Sequence, residues 1–163
     1  MSTVAVTRFV VAPTERVWRV FTDLRARVDR LSTVAGVDVV TDGPFGIGTT
    51  WRETRTTPDG MPVTEEFRVD EAVPPTRFTV VSPGIGANYR TTYSFTPVQI
   101  GRHRGRTLVT VVQEGAPTAP YGRFLALVFG GLAARTVEGA LRQDLTDLAN
   151  AAESFDDDPA AAA

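Results

Sequence analysis

Apolar and polar positions alternate with a period of two over Val4–Val11, which predicts a first strand. The Ala12-Pro13 step then suits a helix start, because the missing N–H of proline costs nothing there. Val17, Val20, Phe21, Leu24, Val28 and Leu31 recur at three and four, a helical stripe, and Asp23 leaves open whether one helix or two carry it. The period returns to two in Val34–Val40, Thr49–Thr56, Pro62–Val69, Thr76–Val81, Asn88–Phe95 and Arg106–Gln113, segments rich in Val, Thr and aromatics with Gly, Pro and Asp between them. The TPDG stretch from Thr57 to Gly60 is a turn signal: proline presets the first central angle and glycine accepts a positive φ. From Tyr121 to Ala152, Leu127, Ala134, Val137, Leu141, Leu145, Leu148 and Ala152 form one apolar helical stripe, interrupted by Gly130 and Gly131.

This order predicts an α+β chain: seven antiparallel strands, short helices after the first strand, and a long C-terminal helix. An amphipathic helix of that length needs a large apolar surface, which a strongly curved sheet wrapped around it supplies. Residues 1–152 form a single ligand-binding domain in this reading, and 153–163, acidic and then alanine-rich, a disordered tail. A sheet curled about a helix leaves a hollow unless large side chains fill it.

Alternation sorts the faces of the strands. Trp51 brings Thr49 and Glu53 inward and turns Arg52 outward. Phe67 and Val69 bring Val63 and Glu65 inward and turn Glu66 and Arg68 outward. Tyr89, Thr91, Tyr93 and Phe95 share the inner face of the sixth strand, with Arg90 outside. The expected cavity lining is therefore Trp51, Phe67, Tyr89, Tyr93 and Phe95, with Phe124 and Val128 of the long helix near its opening. Two inward carboxylates are unusual, since a buried unpaired carboxylate tends to take up a proton. Glu53, Glu65 and Tyr93 are accordingly the candidate catalytic groups, with a desolvated carboxyl near neutral pKa as acid or base and Tyr89 or Tyr93 as donor.

Composition narrows the picture. The 163 residues are 42% apolar and 22% charged with a formal net charge of -2, ordinary for a folded domain and without the positive field that gathers nucleic acid. Cysteine is absent, removing disulfide and thiolate chemistry. The N-terminus shows no signal-peptide pattern, and the longest apolar run, Phe124 to Ala134, is too short to span a bilayer, so a cytoplasmic chain without stable membrane insertion is expected. No metal-ligand spacing occurs and no cofactor is expected. His103, the single histidine, lies in an arginine-bearing hairpin and reads as an exposed loop residue. The glycine cluster GPFGIG, Gly43 to Gly48, precedes a strand and not a helix, so it reads as a bend at a pocket mouth and not as a phosphate cradle.

Together with that element order, the segments VAPTERVWRVFTDL (Val11–Leu24), GIGTTWRETR (Gly46–Arg55), YRTTYSFTP (Tyr89–Pro97) and TVEGALRQDLTDLANAA (Thr136–Ala152) resemble the polyketide cyclase/dehydrase and lipid-transport proteins of the START and birch-pollen-allergen-like superfamily, over about residues 3–152. The resemblance implies a helix-grip fold with a deep cavity that holds hydrophobic molecules. Some members cyclise or aromatise polyketides with interior arginine, tyrosine, serine or acidic groups, and no set here matches such a constellation residue for residue. The expected function is binding or carriage of a hydrophobic small molecule, lipid or polyketide-like. The alternatives are a cyclase, aromatase or dehydratase using interior Glu and Tyr, and a non-enzymatic regulator of a partner protein. A monomer or homodimer is expected.

Overall fold

The computed structural model describes residues 1–56, 59–84, 87–118 and 120–154, the last segment with side chains from Thr136 onward. The order is β1 (Ser2–Val10), α1 (Thr14–Thr22), α2 (Arg27–Arg30), β2 (Val34–Val39), β3 (Thr50–Thr56), β4 (Pro62–Val73), β5 (Arg77–Gly84), β6 (Ala87–Pro97), β7 (Thr107–Pro117) and α3 (Pro120–Ser154). The strands make one antiparallel sheet in the order β1-β7-β6-β5-β4-β3-β2. After β1 the chain crosses to the far edge through α1 and α2, then returns strand by strand until β7 pairs with β1. The element order is the α+β one expected from the period changes, and the architecture is the helix grip that the family resemblance implied.

Local chemistry sets the element ends. Pro13 caps α1 in an extended conformation, and its carbonyl accepts from the N–H groups of Arg16 and Val17. At the other end Asp23 Oδ1 accepts from the Ala26 N–H at 3.4 Å, which favours a break over a continued helix, so two helices form. The break resets the helical phase. Val28, expected on the inward stripe, is 39% exposed, while Arg27 beside it is 6% exposed and faces the interior. β4 runs four residues beyond its expected end because the register shifts between Val69 and Glu71. An extra residue there breaks the alternation in sequence and bends the strand in space.

The glycine cluster makes a bend, as expected. Gly43 and Gly48 have φ of 93° and 88°, in the region glycine adopts without strain. The bend carries Phe45 into an aromatic group with Trp18 and Phe78, at ring-centre distances of 6.1 and 5.1 Å. A small pocket of about 160 Å³ lies beside it, between Asp23 to Arg25 and Val39, Gly43 and Phe45. Gly60 of the TPDG turn also has a positive φ, 85°. His103 is half-buried and not free: its ring stacks on Phe9 at 4.2 Å, and its two nitrogens lie 3.2 Å from Arg102 Nε and Arg106 Nη1, of which the unprotonated one accepts.

The core has two unequal parts. Between α1 and the middle of the sheet, Phe21 and Phe95 meet at 5.1 Å and Trp18 lies 5.9 Å from Phe95, all tightly packed. Leu145, Leu148, Ala149 and Ala152 of α3 are buried and belong to the same core, where the helix lies along β1 and against α1. On the rest of the inner face Val37, Val39, Phe67, Tyr89 and Tyr93 stay half-buried. Phe124, Val128, Gly130 and Gly131 lie outside the residues with described side chains, and residues 155–163 of the expected tail lie outside the described chain. Glu153 and Ser154, placed in that tail by sequence, still belong to α3.

The division of the core has a direct test. Leu148→Ala is expected to lower unfolding free energy by about 2–5 kcal/mol in denaturant titration, whereas Val28→Ala changes it by less than about 0.5 kcal/mol.

Candidate functional site

The inner ends of β3, α2, β6 and α3 bring together a cluster that no local segment contains. Trp51, Glu53 and Arg55 alternate onto the inner face of β3, and opposite Glu53 on β4 stands Glu65. Glu53 is 1% exposed. Its Oε1 accepts from Arg27 Nε and, at 3.0 Å, from Trp51 Nε1, and its Oε2 accepts from Arg55 Nη2 at 2.9 Å. Arg55 then grips Asp144 of α3 through both terminal nitrogens, at 3.1 and 2.8 Å. Thr33 completes the group by accepting from Arg55 at 2.8 Å and donating to Asp144 at 2.7 Å. One turn further along α3, Asp147 Oδ2 accepts from the N–H and hydroxyl of Ser32 at 2.9 and 2.7 Å. These bonds fasten α3 to the segment between α2 and β2.

The charges within the cluster cancel: two guanidiniums face two carboxylates. All 17 basic residues of the chain are arginine, whose charge does not titrate in a folded protein. Burial is the largest single influence on Glu53 and pushes its pKa up, yet the charges of Arg27 and Arg55 and the hydrogen bonds from Arg27 and Trp51 together hold it below the ordinary 4.5. The expectation of a desolvated Glu53 near neutrality is therefore not met. It stays ionised because its partners are fixed cations. Burial likewise works against the Arg55 charge, but the hydrogen bonds and charges of Asp144 and Glu53 outweigh it and raise its pKa.

Tyr93 looks into this cluster from β6. Its ring stacks on Phe78 at 4.6 Å and 17°, and burial pushes its phenol up to about 12, with Arg27 the strongest of the surrounding charges. Among the described residues, no hydrogen bond reaches the Tyr93 hydroxyl, and none reaches the two terminal nitrogens of Arg27, which engages Glu53 through Nε alone. The described polar side-chain atoms that are both unbonded and sealed from accessible space are Arg8 Nε and Ser82 Oγ. Among the described residues, then, Tyr93 Oη and the terminal nitrogens of Arg27 have no acceptor and are not among these sealed atoms. A nine-tenths buried guanidinium with idle N–H groups is costly unless something accepts from them.

The remaining site expectations fall as follows. Glu65 faces inward, half-buried, opposite Glu53. Trp51, 3% exposed, and Phe95, 1% exposed, are sealed: Trp51 by Phe67, whose ring lies 5.4 Å away, and Phe95 by α1. Phe67 and Tyr89 keep accessible surface. The Tyr89 ring lies flat between glycines of the two neighbouring strands. A Cβ at Gly84 would come within 2.5 Å of it and one at Gly115 within 3.3 Å. Arg52 and Arg90 point outward as expected, paired with Glu66 at 3.0 Å and Asp70 at 2.7 Å. Arg27, Arg55 and Asp144 are the site residues that sequence reasoning missed. Arg55 was signalled by its place two residues beyond Glu53, but Arg27 only by the break at Asp23. Among the described residues no group of three or more His, Asp or Glu is placed to hold a metal, and no helix is long and apolar enough to cross a membrane.

The sequence profile of the polyketide cyclase / dehydrase and lipid transport family matches residues 1–153. The chain belongs to that family. Among solved structures, TTHA0849 from Thermus thermophilus is similar with a TM-score of 0.74 at 23% identity, over 93% of this chain and 97% of that one. CV1439 from Chromobacterium violaceum is similar at 0.63 and 22%, over 93% and 96%. The di-domain ARO/CYC StfQ from the steffimycin biosynthetic pathway is similar at 0.70 and 17%, over 94% of this chain and 49% of that one, so this chain spans about half of StfQ. At these identities the likeness is one of fold. No curated protein is significantly similar in sequence.

Two stability outcomes follow from the cluster. Arg55→Met leaves Glu53 and Asp144 short of a cation and is expected to cost about 3–5 kcal/mol, against less than about 1 kcal/mol for Arg52→Met on the outer face, both read by denaturant unfolding. Because folding lowers the Glu53 pKa, its stabilisation is whole above the unfolded value of 4.5 and fades as pH falls through the folded value. The stability difference between the native chain and Glu53→Gln should therefore be level at neutral pH and shrink in acid. A difference independent of pH down to acid unfolding would contradict the pairing.

Proposed function

We propose that this protein binds and carries a hydrophobic small molecule, lipid or polyketide-like, between the inner face of β3–β6 and α3, and receives a ligand oxygen at Tyr93 Oη and the terminal nitrogens of Arg27. The observation that carries this reading is the pair of idle donors beside half-buried aromatic surface. A closed apolar site with a few convergent polar groups is what small-molecule binding requires. Phe67 and Tyr89 supply apolar walls in this reading, and Trp51 and Phe95 back them. The family's name covers both cyclisation or dehydration of polyketides and transport of lipids, and it supports the ligand class without choosing between holding and transforming.

A second reading, cyclisation or dehydration of the bound molecule, is favoured by one observation: Tyr93 keeps its proton far above neutral pH and is a stable donor to a carbonyl. Glu65 would then be the acid or base, since Glu53 is held as an anion.

Gently purified protein, compared by mass spectrometry before and after denaturation, is expected to release a small apolar molecule, and Tyr93→Phe to retain less of it. Protein that arrives empty and takes up no apolar fluorescent probe would end the reading.

A further inference from the structure

Which oxygen the site accepts is decided by its charge balance. Arg27 and Arg55 are cancelled by Glu53 and Asp144, and Glu65 stands on the same inner face opposite Glu53. A ligand carboxylate brought to Tyr93 and Arg27 would be one anion more than the cations beside it balance, in surroundings that separate it from water. Such a charge is strongly disfavoured. A ketone, ester or quinone oxygen accepts the same hydrogen bonds and adds no charge.

We propose that the inner site selects a neutral carbonyl compound and rejects the carboxylate of equal length, because Glu53 and Asp144 already use the charge of both buried arginines. The inference rests on the hydrophobic-ligand reading and narrows it, setting free fatty acids apart from polyketide-like ketones and esters. Arg27 offers hydrogen-bond donors without net positive charge. Its nearness to Trp51, 6.0 Å from the ring, and its bond to Glu53 keep the guanidinium in one place, so a ligand oxygen meets a fixed donor. Tyr93 adds an O–H on the same side.

The probes are methyl nonyl ketone and undecanoic acid, of equal carbon count, titrated calorimetrically into the full chain at about pH 8, where the acid is ionised. The ketone is expected to bind at least about tenfold more tightly. Glu53→Gln preserves the shape of the side chain and removes one negative charge, so it should raise the ratio of undecanoate to ketone affinity about tenfold or more, whatever its effect on the ketone alone. Asp144→Asn makes the same change of charge from α3 and should act in the same direction, which keeps the test open if one variant folds poorly. Glu66→Gln on the outer face should alter neither probe. Equal or tighter binding of undecanoate by the native chain overturns the selectivity and leaves the ligand reading standing. So does a folded Glu53→Gln or Asp144→Asn variant in which the ratio of undecanoate to ketone affinity is unchanged. Failure of both probes to bind removes the ligand reading and this inference with it.

Discussion

A carboxylate with almost no exposure, held between two guanidiniums, is the constraint on which the rest of this structure depends. Glu53 sits almost fully buried on the inner face of β3, and an ion there is tolerated because Arg27, Arg55 and Trp51 donate hydrogen bonds to it. Satisfying it draws in distant parts of the chain. Arg55 reaches Asp144, which anchors α3; Arg27 comes from the short helix restarted after Asp23, which ties α2 to the sheet. The ion group thus fixes where the long helix lies while the aromatic packing around Phe95 fills the other side.

The same arrangement accounts for the donors left over. Arg27 spends only Nε on Glu53, and Tyr93, aligned by its stack on Phe78, finds no acceptor among the described residues. A protein built only for stability would gain by pairing or deleting these groups. Their persistence beside accessible aromatic surface is what a ligand-holding interior needs. Breaking any of the cluster's pairs would disturb both helix placement and donor alignment, so under the proposed function stability and ligand binding are coupled through Glu53.

The fold was largely legible in the sequence because it rests on periodicity. Period two marks each of the seven strands and the stripe from Val137 to Ala152 marks α3, both of which report burial against a large surface. Trp51, Glu53, Glu65 and the β6 aromatics were assignable to the inner face for the same reason. The ion network was not legible, since its partners are set by tertiary contacts: Asp144 is 89 residues from Arg55. Charge alone misleads at Arg27, which resembles a surface residue of an amphipathic helix until the break at Asp23 turns it inward. At Glu53 the sequence shows the burial but not the cations, and burial without cations predicts the opposite direction of pKa shift.

The most direct test of the account is the infrared carbonyl stretch of a bound, isotope-labelled methyl nonyl ketone. The bound carbonyl is expected at a frequency lower than that of the ketone in hydrocarbon solvent, moving back toward the hydrocarbon value in Tyr93→Phe, because idle donors of the protein hold the oxygen. A bound carbonyl vibrating as it does in hydrocarbon, unchanged by the loss of the Tyr93 hydroxyl, would contradict it.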